Sequence, residues 1–198
     1  MIRMATEQDL PEMLAIYRPF VENTACSFEY TTPTLSQFTQ RFREITAQVP
    51  WLVWEADGRV LGYFYACLPF SRAAYRWCAE PSIYLAEHVR GKGIGRRLYT
   101  ALEALLTAQG YRVLYAIITS ANTSSLAFHA ACGYRHLADF DHCGWKFGTW
   151  YGITWMEKRL NSVESPIDFP VPIEDIVKND EIFQKILGTL PLSKTAKI

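Results

Sequence analysis

The feature that most constrains this sequence is a glycine-rich, basic turn placed between a short apolar run and an amphipathic helix. The run is Ile83-Tyr84-Leu85, and the turn reads Arg90-Gly91-Lys92-Gly93-Ile94-Gly95-Arg96-Arg97. Glycines let a backbone approach a ligand closely, and the unpaired N–H groups at a helix N-terminus favour anionic oxygen atoms. The pattern predicts a strand, a pyrophosphate-binding turn with added cations, and a helix that ends at Gly110. A tight turn with a solvated basic face is the alternative interpretation.

Two other phosphate-binding motifs are excluded by the spacing within this turn. A P-loop requires Ser or Thr directly after its lysine, whereas Lys92 is followed by Gly93. A dinucleotide-binding fingerprint requires a third glycine three residues after the second, and position 96 is arginine. The turn therefore belongs to another class of phosphate site.

The order of the expected elements predicts one mixed α/β domain. Along the chain we expect a strand, two helices, three strands, a helix, a strand, a helix and two strands. Asp57-Gly58 between apolar runs marks a hairpin, and Asn122 marks the start of the short last helix. The final strands are expected at 134–137 and 148–156, around an irregular loop. This alternation is typical of a sheet covered by helices.

Composition excludes several classes of protein. The chain has 198 residues, with 20 Lys and Arg against 20 Asp and Glu, which argues against a polybasic nucleic-acid or membrane-surface protein. It contains no apolar run long enough for a transmembrane helix and no apolar leader. Its five cysteines include no CxxC pair, so neither a metal site nor a disulfide framework is expected. We expect a cytoplasmic protein without metal, nucleic-acid or membrane partners.

The sequence changes character after Leu160. Four prolines interrupt the rest of the chain, at positions 166, 170, 172 and 191. We therefore predict a domain at 1–160 and a partly helical C-terminal appendage at 161–198, which is either docked or partly disordered and is not needed for chemistry. One amphipathic helix of the appendage would carry the apolar residues Ile173, Ile176, Val177, Phe183, Ile186 and Leu187.

The glycine-rich turn resembles the acetyl-CoA pyrophosphate loop of the GNAT acetyltransferases. More specific similarity lies in Glu80-Pro81-Ser82-Ile83-Tyr84-Leu85, Asn122-Thr123-Ser124-Ser125-Leu126, His129, Gly133-Tyr134 and Lys146-Phe147-Gly148-Thr149-Trp150. Together these segments are similar to the branch that N-acetylates phosphinothricin, methionine sulfoximine or methionine sulfone. The resemblance implies a GNAT fold, with a mostly antiparallel sheet splayed at the strand that binds acetyl-CoA. It also implies acetyl-CoA as co-substrate, a small amino-acid-like acceptor and a homodimer.

Two residues are candidates for catalysis. Glu80 shares a strand face with Ser82 and Tyr84, and the resemblance points to it as the base that deprotonates the acceptor amine, directly or through water. A surface carboxylate at a strand start is the alternative. His129 lies two helical turns after Asn122, where many GNAT enzymes have a tyrosine that protonates the CoA thiolate. A structural role and a substrate contact both remain open for this histidine.

The binding residues follow from the same resemblance. The acetyl-CoA set is Ile83, Tyr84, Leu85, Arg90, Gly91, Lys92, Gly93, Ile94, Gly95, Arg96, Asn122 and Ser125. The backbones of Ile83 and Leu85 would pair with the pantetheine arm like an added strand, and Pro81 suits a splayed strand because it lacks an N–H. The acceptor set is Phe28, Glu29, Arg72, Ala73, Ala74 and Tyr75. An arginine suits an acceptor carboxylate or phosphinate, although Arg72 would also suit an exposed loop.

Three functions are compatible with this pattern. The first is direct acetyl transfer from acetyl-CoA to a small amine, without an acyl-enzyme. A non-catalytic acyl-CoA sensor and a protein N-acetyltransferase are the alternatives. Glu80 and His129 favour the enzyme because a sensor needs neither of them, and the aromatic, arginine-bearing loops favour a small pocket over a peptide groove.

Overall fold

The computed structural model describes residues 1–160, 168–179, 183 and 186 as a single sheet with helices on both faces. The strands are β1 (Ile2–Met4), β2 (Trp51–Ala56), β3 (Arg59–Cys67), β4 (Cys78–Leu85), β5 (Val113–Thr119), β6 (Arg135–Lys146) and β7 (Thr149–Arg159). The helices are α1 (Leu10–Asn23), α2 (Leu35–Thr46), α3 (Ile94–Gln109), α4 (Thr123–Ala131) and α5 (Ile173–Lys178). This order confirms the expected mixed α/β domain.

The seven strands follow the order β1-β2-β3-β4-β5-β7-β6, and β4 and β5 alone run parallel. These two strands pair only at Cys78 with Val113 and at Ala79 with Leu114. Beyond Ala79 they diverge, and a gap opens in the middle of the sheet. The predicted splayed, mostly antiparallel sheet is therefore confirmed.

The backbone of β4 is divided between β3 and this gap. The N–H of Ala86, just after β4, donates to the Leu61 carbonyl at 2.9 Å, so even-numbered residues direct their backbone groups towards β3. The odd-numbered residues, from Pro81 to Leu85, then face the gap. Pro81 is tolerated at the point of divergence because that position needs no N–H.

Two apolar clusters cover the two faces of the sheet. One cluster joins α3 to residues such as Leu52 and Phe64, and the other joins α1 and α2 to Trp51 and Tyr63. Trp51 and Leu52 are adjacent in β2 and both fully buried, so this part of the sheet is covered on both sides. Fully burying one such large side chain contributes roughly 1.5–3 kcal/mol.

The prediction of an irregular loop after residue 137 is wrong. β6 continues to Lys146 and pairs with β7, with register shifts between His136 and Ala138 and between Phe140 and Gly144. These bulges absorb residues that break the alternation of polar and apolar side chains, while pairing with β7 satisfies most of the backbone.

The helix expected from Ile173 to Leu187 is interrupted. α5 spans six residues, and Asn179 leaves the helical region with φ −86° and ψ 82°. Beyond it, Phe183 and Ile186 are again helical. Leu187 lies outside the described residues, as does most of the remaining appendage.

Candidate active site

A cleft of about 550 Å³ lies between the end of α1, the gap-facing side of β4 and the N-termini of α3 and α4. It brings together half of the predicted acetyl-CoA residues: Ile83, Leu85, Arg90, Gly95, Asn122 and Ser125. These residues come from three separate segments of the chain. The splay leaves the gap-facing backbone of β4 without a neighbouring strand, so this edge is available to an extended, strand-like ligand.

The turn before α3 depends on two glycines in the left-handed region. Gly91 has a φ of 73° and Gly93, the N-cap of α3, has a φ of 79°. A Cβ at either position would meet no heavy atom within 4 Å, so conformational strain rather than crowding requires glycine. Gly95 differs, because a Cβ there would lie 3.4 Å from the Phe128 ring. The turn leaves the N-terminus of the 16-residue helix α3 bordering the cleft.

Three of the four cations of the turn, the arginines, make different contacts. Arg90 lines the cleft, where its Nε donates to the Leu85 carbonyl at 3.2 Å. Arg96 donates to the Ala131 carbonyl at the end of α4, at 3.0 Å. Arg97 does not contribute to an anion site, because its guanidinium lies 4.7 Å from the Trp54 ring centre. The expectation that all four cations surround the turn is wrong for Arg97, which packs against β2.

Two further residues of the acetyl-CoA set offer little side-chain contact. Ile94 is 7% exposed and belongs to the core around α3, so only its backbone is available to a ligand. The ring of Tyr84 packs edge-on against Tyr17 and Phe20. Its backbone faces β3, and Tyr84 therefore shapes the wall of the gap rather than offering polar groups.

A narrower cleft of about 80 Å³ continues into the gap and is lined by Ser82, Asn122 and His129, among others. Asn122 caps α4, since its Oδ1 accepts from the Ser125 N–H at 3.2 Å. Its Nδ2 lies 3.1 Å from the Cys26 Sγ, and Cys26 lines both clefts. The two roles considered for Asn122 are therefore geometrically compatible.

His129 is a buried histidine with one free nitrogen. Its Nδ1 lies 2.8 Å from the Ser125 carbonyl oxygen, which places the proton on Nδ1. Nε2 has no hydrogen-bond partner within the described part of the chain. The ring meets Tyr99, Phe128 and Tyr134 edge-on, and burial lowers the pKa of the imidazole. The neutral form, with a lone pair on Nε2, is therefore favoured.

Glu80 lies just beyond the last residue of β4 that pairs with β5. Burial raises the pKa of its carboxyl to about 7, and no described side chain or N–H stabilises the carboxylate. Opposite it on β3, burial raises the pKa of the Cys67 thiol to about 12. A carboxyl of this kind can both accept and release a proton near neutral pH.

The predicted acceptor loop lies on the same face of the sheet as Glu80. Side chains alternate along a strand, and the pairing of β4 with β5 therefore puts Glu80 and Tyr115 on one face. The ring of Phe70 contacts both Tyr115 and Trp155, with centroids 6.1 Å and 6.3 Å away. Tyr75 in turn packs against Phe70 with its ring tilted by 42° and the centroids 4.7 Å apart. These ring contacts place the segment Arg72–Tyr75 above the face of the sheet that bears Glu80.

The second acceptor segment reaches this face from the end of α1. Thr119 of β5 donates to the Ala25 carbonyl at 2.6 Å, which ties the segment to the sheet. Glu29 forms an ion pair with Arg41 through Oε1, while its Oε2 is buried without a partner. Phe28 packs instead against Gly144 and Tyr151 of the β6–β7 hairpin. Because Oε2 of Glu29 is also shielded from solvent, Glu29 shapes the segment through its ion pair with Arg41.

Sequence reasoning missed two residues that shape this site. Arg41 is the partner of Glu29, and it resembles any other charge on the polar face of α2. Lys146 is 2% exposed and donates to the carbonyls of Val21, Thr24 and Ser27 at 2.6, 2.9 and 2.7 Å. It holds the segment after α1 against the hairpin. It belongs to a motif that pointed to the family, but no local signal distinguishes a buried lysine from an exposed one.

Among the described residues, no helix is long and apolar enough to cross a membrane. The same part of the chain contains no group of three or more His, Cys, Asp or Glu residues arranged to hold a metal ion.

Comparison with known proteins identifies the family. The profile described as Acetyltransferase (GNAT) domain matches residues 2–155. Phosphinothricin N-acetyltransferase of Alcaligenes faecalis is 36% identical, over 84% of this chain and 85% of that protein. L-methionine sulfoximine/L-methionine sulfone acetyltransferase of Pseudomonas aeruginosa is also 36% identical, over 83% of this chain and 96% of that protein.

Solved structures agree with this result. The crystal structure of a GNAT phosphinothricin acetyltransferase from Sinorhizobium meliloti in complex with acetyl-CoA is 35% identical. It superposes with a TM-score of 0.82, over 87% of this chain and 96% of that one. The splayed sheet, the glycine turn and these relatives lead to one assignment. The chain belongs to the GNAT acetyltransferase family and is an acetyl-CoA-dependent N-acetyltransferase.

Proposed function

We propose that this enzyme acetylates the amine of a small amino acid or analogue of the phosphinothricin, methionine sulfoximine or methionine sulfone type. The observation that carries the proposal is Glu80, which is half-buried where the sheet splays, has no partner among the described residues and has its pKa raised to about 7. The relatives named for these acceptors support the substrate class. The GNAT profile and the neighbour solved with acetyl-CoA support the donor.

The chemistry requires an unprotonated amine next to the thioester. Acetyl-CoA supplies the activated acetyl group, and the amine attacks it directly, without an acyl-enzyme. Glu80 takes the proton from the acceptor ammonium, either directly or through a water molecule. A base is most useful when its pKa lies near the working pH, and burial places Glu80 there.

His129 has a different part in this proposal. In its neutral form Nε2 accepts a hydrogen bond, and it gives a proton to the departing thiolate only after taking one itself. Burial among three aromatic rings opposes the imidazolium form. We therefore assign His129 to hydrogen bonding in the gap and to proton relay, rather than to a permanently charged acid.

Charged groups on the acceptor face match an amino acid. Arg72 is exposed and forms no ion pair within the described residues, so its guanidinium is available to a carboxylate or phosphinate. Glu29, held by its ion pair with Arg41, belongs to the wall of the acceptor site in this proposal. For the pyrophosphate we propose the turn from Arg90 to Arg96, and for the pantetheine arm the backbones of Ile83 and Leu85 with Asn122 and Ser125.

We also propose a cytoplasmic homodimer that does not act on nucleic acid or at membranes. All five cysteines are unpaired, which suits a reducing compartment. The β6–β7 hairpin exposes Phe140, Trp145, Phe147 and Trp150 together, and apolar patches of this kind commonly mark protein contacts. Analytical ultracentrifugation tests the dimer, and a monomer at micromolar concentration would contradict it.

The acceptor is tested by measuring thiol release from acetyl-CoA in the presence of the three analogues and the common amino acids. We expect turnover with at least one analogue, and N-acetylation of its amine by mass spectrometry. Tight acetyl-CoA binding without turnover on any acceptor would favour a sensor instead. Acetylation of peptide N-termini alone would favour a protein acetyltransferase.

A further inference from the structure

We propose that the C-terminal segment at 168–177 is a brace that positions the acceptor loop. It holds Arg76 and Trp77, and through them the turn Arg72–Tyr75. This inference rests on the proposed function, since it concerns acceptor binding by that turn. The segment lies outside residues 2–155, the part of the chain that the GNAT profile matches.

Contacts between the brace and the loop converge on two residues. The indole Nε1–H of Trp77 donates to the Asp168 carbonyl at 2.9 Å. The Phe169 ring stacks on Trp77, with centroids 5.0 Å apart and planes 25° apart. The Arg76 guanidinium lies 5.1 Å from the centre of the same Phe169 ring. Phe169 therefore holds both residues at the end of the acceptor loop.

The brace is itself fixed to the body of the domain. Gln109, the last residue of α3, donates through Nε2 to the carbonyls of Val171 and Gln48, at 2.8 and 2.7 Å. The Val171 N–H returns a bond to the Gln109 carbonyl at 2.9 Å. Ile173 and Ile176 are 3% and 8% exposed in the core. The segment that carries Phe169 is therefore fixed to the end of α3 and to the core.

The backbone at this end of the acceptor turn is fixed separately, because the Trp77 carbonyl accepts from the Arg112 and Val113 N–H groups at 2.9 and 3.2 Å. Phe169 therefore acts on the side chains of Arg76 and Trp77 and on the turn before them. This turn is closed by the N–H groups of Tyr75 and Arg76, which donate to Arg72 and Ala73 at 3.0 and 3.2 Å. On the other side of Trp77, β4 is held by six register pairs with β3. Loss of the Phe169 contacts should therefore loosen the turn and leave Glu80 in place. Acceptor affinity should change while kcat and acetyl-CoA affinity do not.

This inference is compatible with the prediction that the appendage is not needed for chemistry. A brace changes how well the acceptor is held, and the transfer step still takes place without it. Phe169 and Trp77 are positioning residues, because neither is placed in contact with a substrate.

The test is Phe169→Ala in the full chain, assayed by thiol release with the best acceptor. We expect the acceptor KM to rise about 3- to 10-fold, the range typical for loss of one aromatic pair, with kcat and the acetyl-CoA KM within about twofold of wild type. Phe169→Tyr keeps the ring and should restore the wild-type KM. Val177→Ala, an exposed change in the same segment, is the matched control and should have no effect.

Trp77→Phe removes the Nε1–H donor and reduces the ring area that stacks on Phe169, so a rise in the acceptor KM is expected here too. If circular dichroism shows that Phe169→Ala does not fold, Trp77→Phe provides the test in its place. An unchanged acceptor KM in folded Phe169→Ala or Trp77→Phe overturns the brace, as does an equal rise in Val177→Ala. A wild-type enzyme inactive on every acceptor instead overturns the proposed function, so the two failures are distinguishable.

Discussion

The two proposed binding surfaces of the splayed sheet differ in the groups that form them, since one is mainly backbone and the other is mainly side chains. The proposed acetyl-CoA side consists largely of backbone: the gap-facing edge of β4, two left-handed glycines and the N-terminus of α3. The proposed acceptor side consists of side chains from four distant segments, including Glu29, Arg41, Arg72 and Glu80. A backbone site can be encoded by a short local motif, whereas a side-chain site exists only after folding. The donor is therefore common to the family, and the acceptor can vary.

The largest effect should come from the acceptor side, with Glu80→Gln. Loss of a general base typically costs about 10²–10⁴-fold, so kcat/KM should fall by that order at neutral pH. Because the carboxylate is the active form, wild-type kcat/KM should decrease as pH falls through about 7, whereas in the variant the midpoint of this decrease should move up towards the pKa of the acceptor amine. Steady-state kinetics across pH measures both effects.

Part of the Glu80→Gln defect should recover at high pH, where more of the amine is already free. Glu44→Gln, an exposed change on α2, is the control and should keep the wild-type profile. The same kcat/KM and the same acidic limb in Glu80→Gln would remove Glu80 from the mechanism.

Lys146→Met tests how the acceptor side is assembled. The change leaves three carbonyls without their charged donor, and bonds to charged groups are worth about 1.5–3 kcal/mol each. Since water can replace some of them, we expect a loss of about 3 kcal/mol in unfolding free energy, measured by urea denaturation, and a raised acceptor KM. Lys92→Met, on the exposed turn, should leave stability unchanged. Equal stability of Lys146→Met and wild type would show that the segment after α1 is held by other contacts.

Gly93→Ala tests the backbone site. An L-residue in the left-handed region costs roughly 1–2 kcal/mol, so a turn that relaxes away from its φ of 79° should bind acetyl-CoA about 5- to 30-fold more weakly. Gly58→Ala imposes the same strain in the β2–β3 hairpin, where φ is 70° and space is also free. It should lower stability without changing affinity in calorimetry. Unchanged acetyl-CoA affinity in folded Gly93→Ala would refute the pyrophosphate assignment.

The smallest effect is expected for Arg72→Lys, which retains the charge but loses the paired donors. The KM for an acidic acceptor should rise about 3- to 10-fold, as expected for a lost hydrogen bond of about 1 kcal/mol. The acetyl-CoA KM should not change. Arg18→Lys, an exposed change on α1, is the control. If the two variants have the same acceptor KM, the acceptor carboxylate or phosphinate binds elsewhere.

Local signals predicted the fold well wherever a few neighbouring residues determine the geometry. Asp57 and Gly58, both with positive φ, form the expected hairpin turn, and Thr34 caps α2 through the Gln37 N–H. Prediction failed where pairing between distant residues overrides local pattern. β6 continues through a polar, irregular stretch because β7 is beside it.

The sequence by itself determined the acetyl-CoA turn, the order of elements and the family, because these depend on short-range steric and capping rules. Only the tertiary structure decided which charges face the site. Arg97 lies over Trp54, Arg41 pairs with Glu29, and Lys146 is buried beneath three carbonyls. It also decided the protonation of Glu80 and His129, since their pKa values are shifted by burial. Burial depends on residues far apart in the chain, and no local pattern records it.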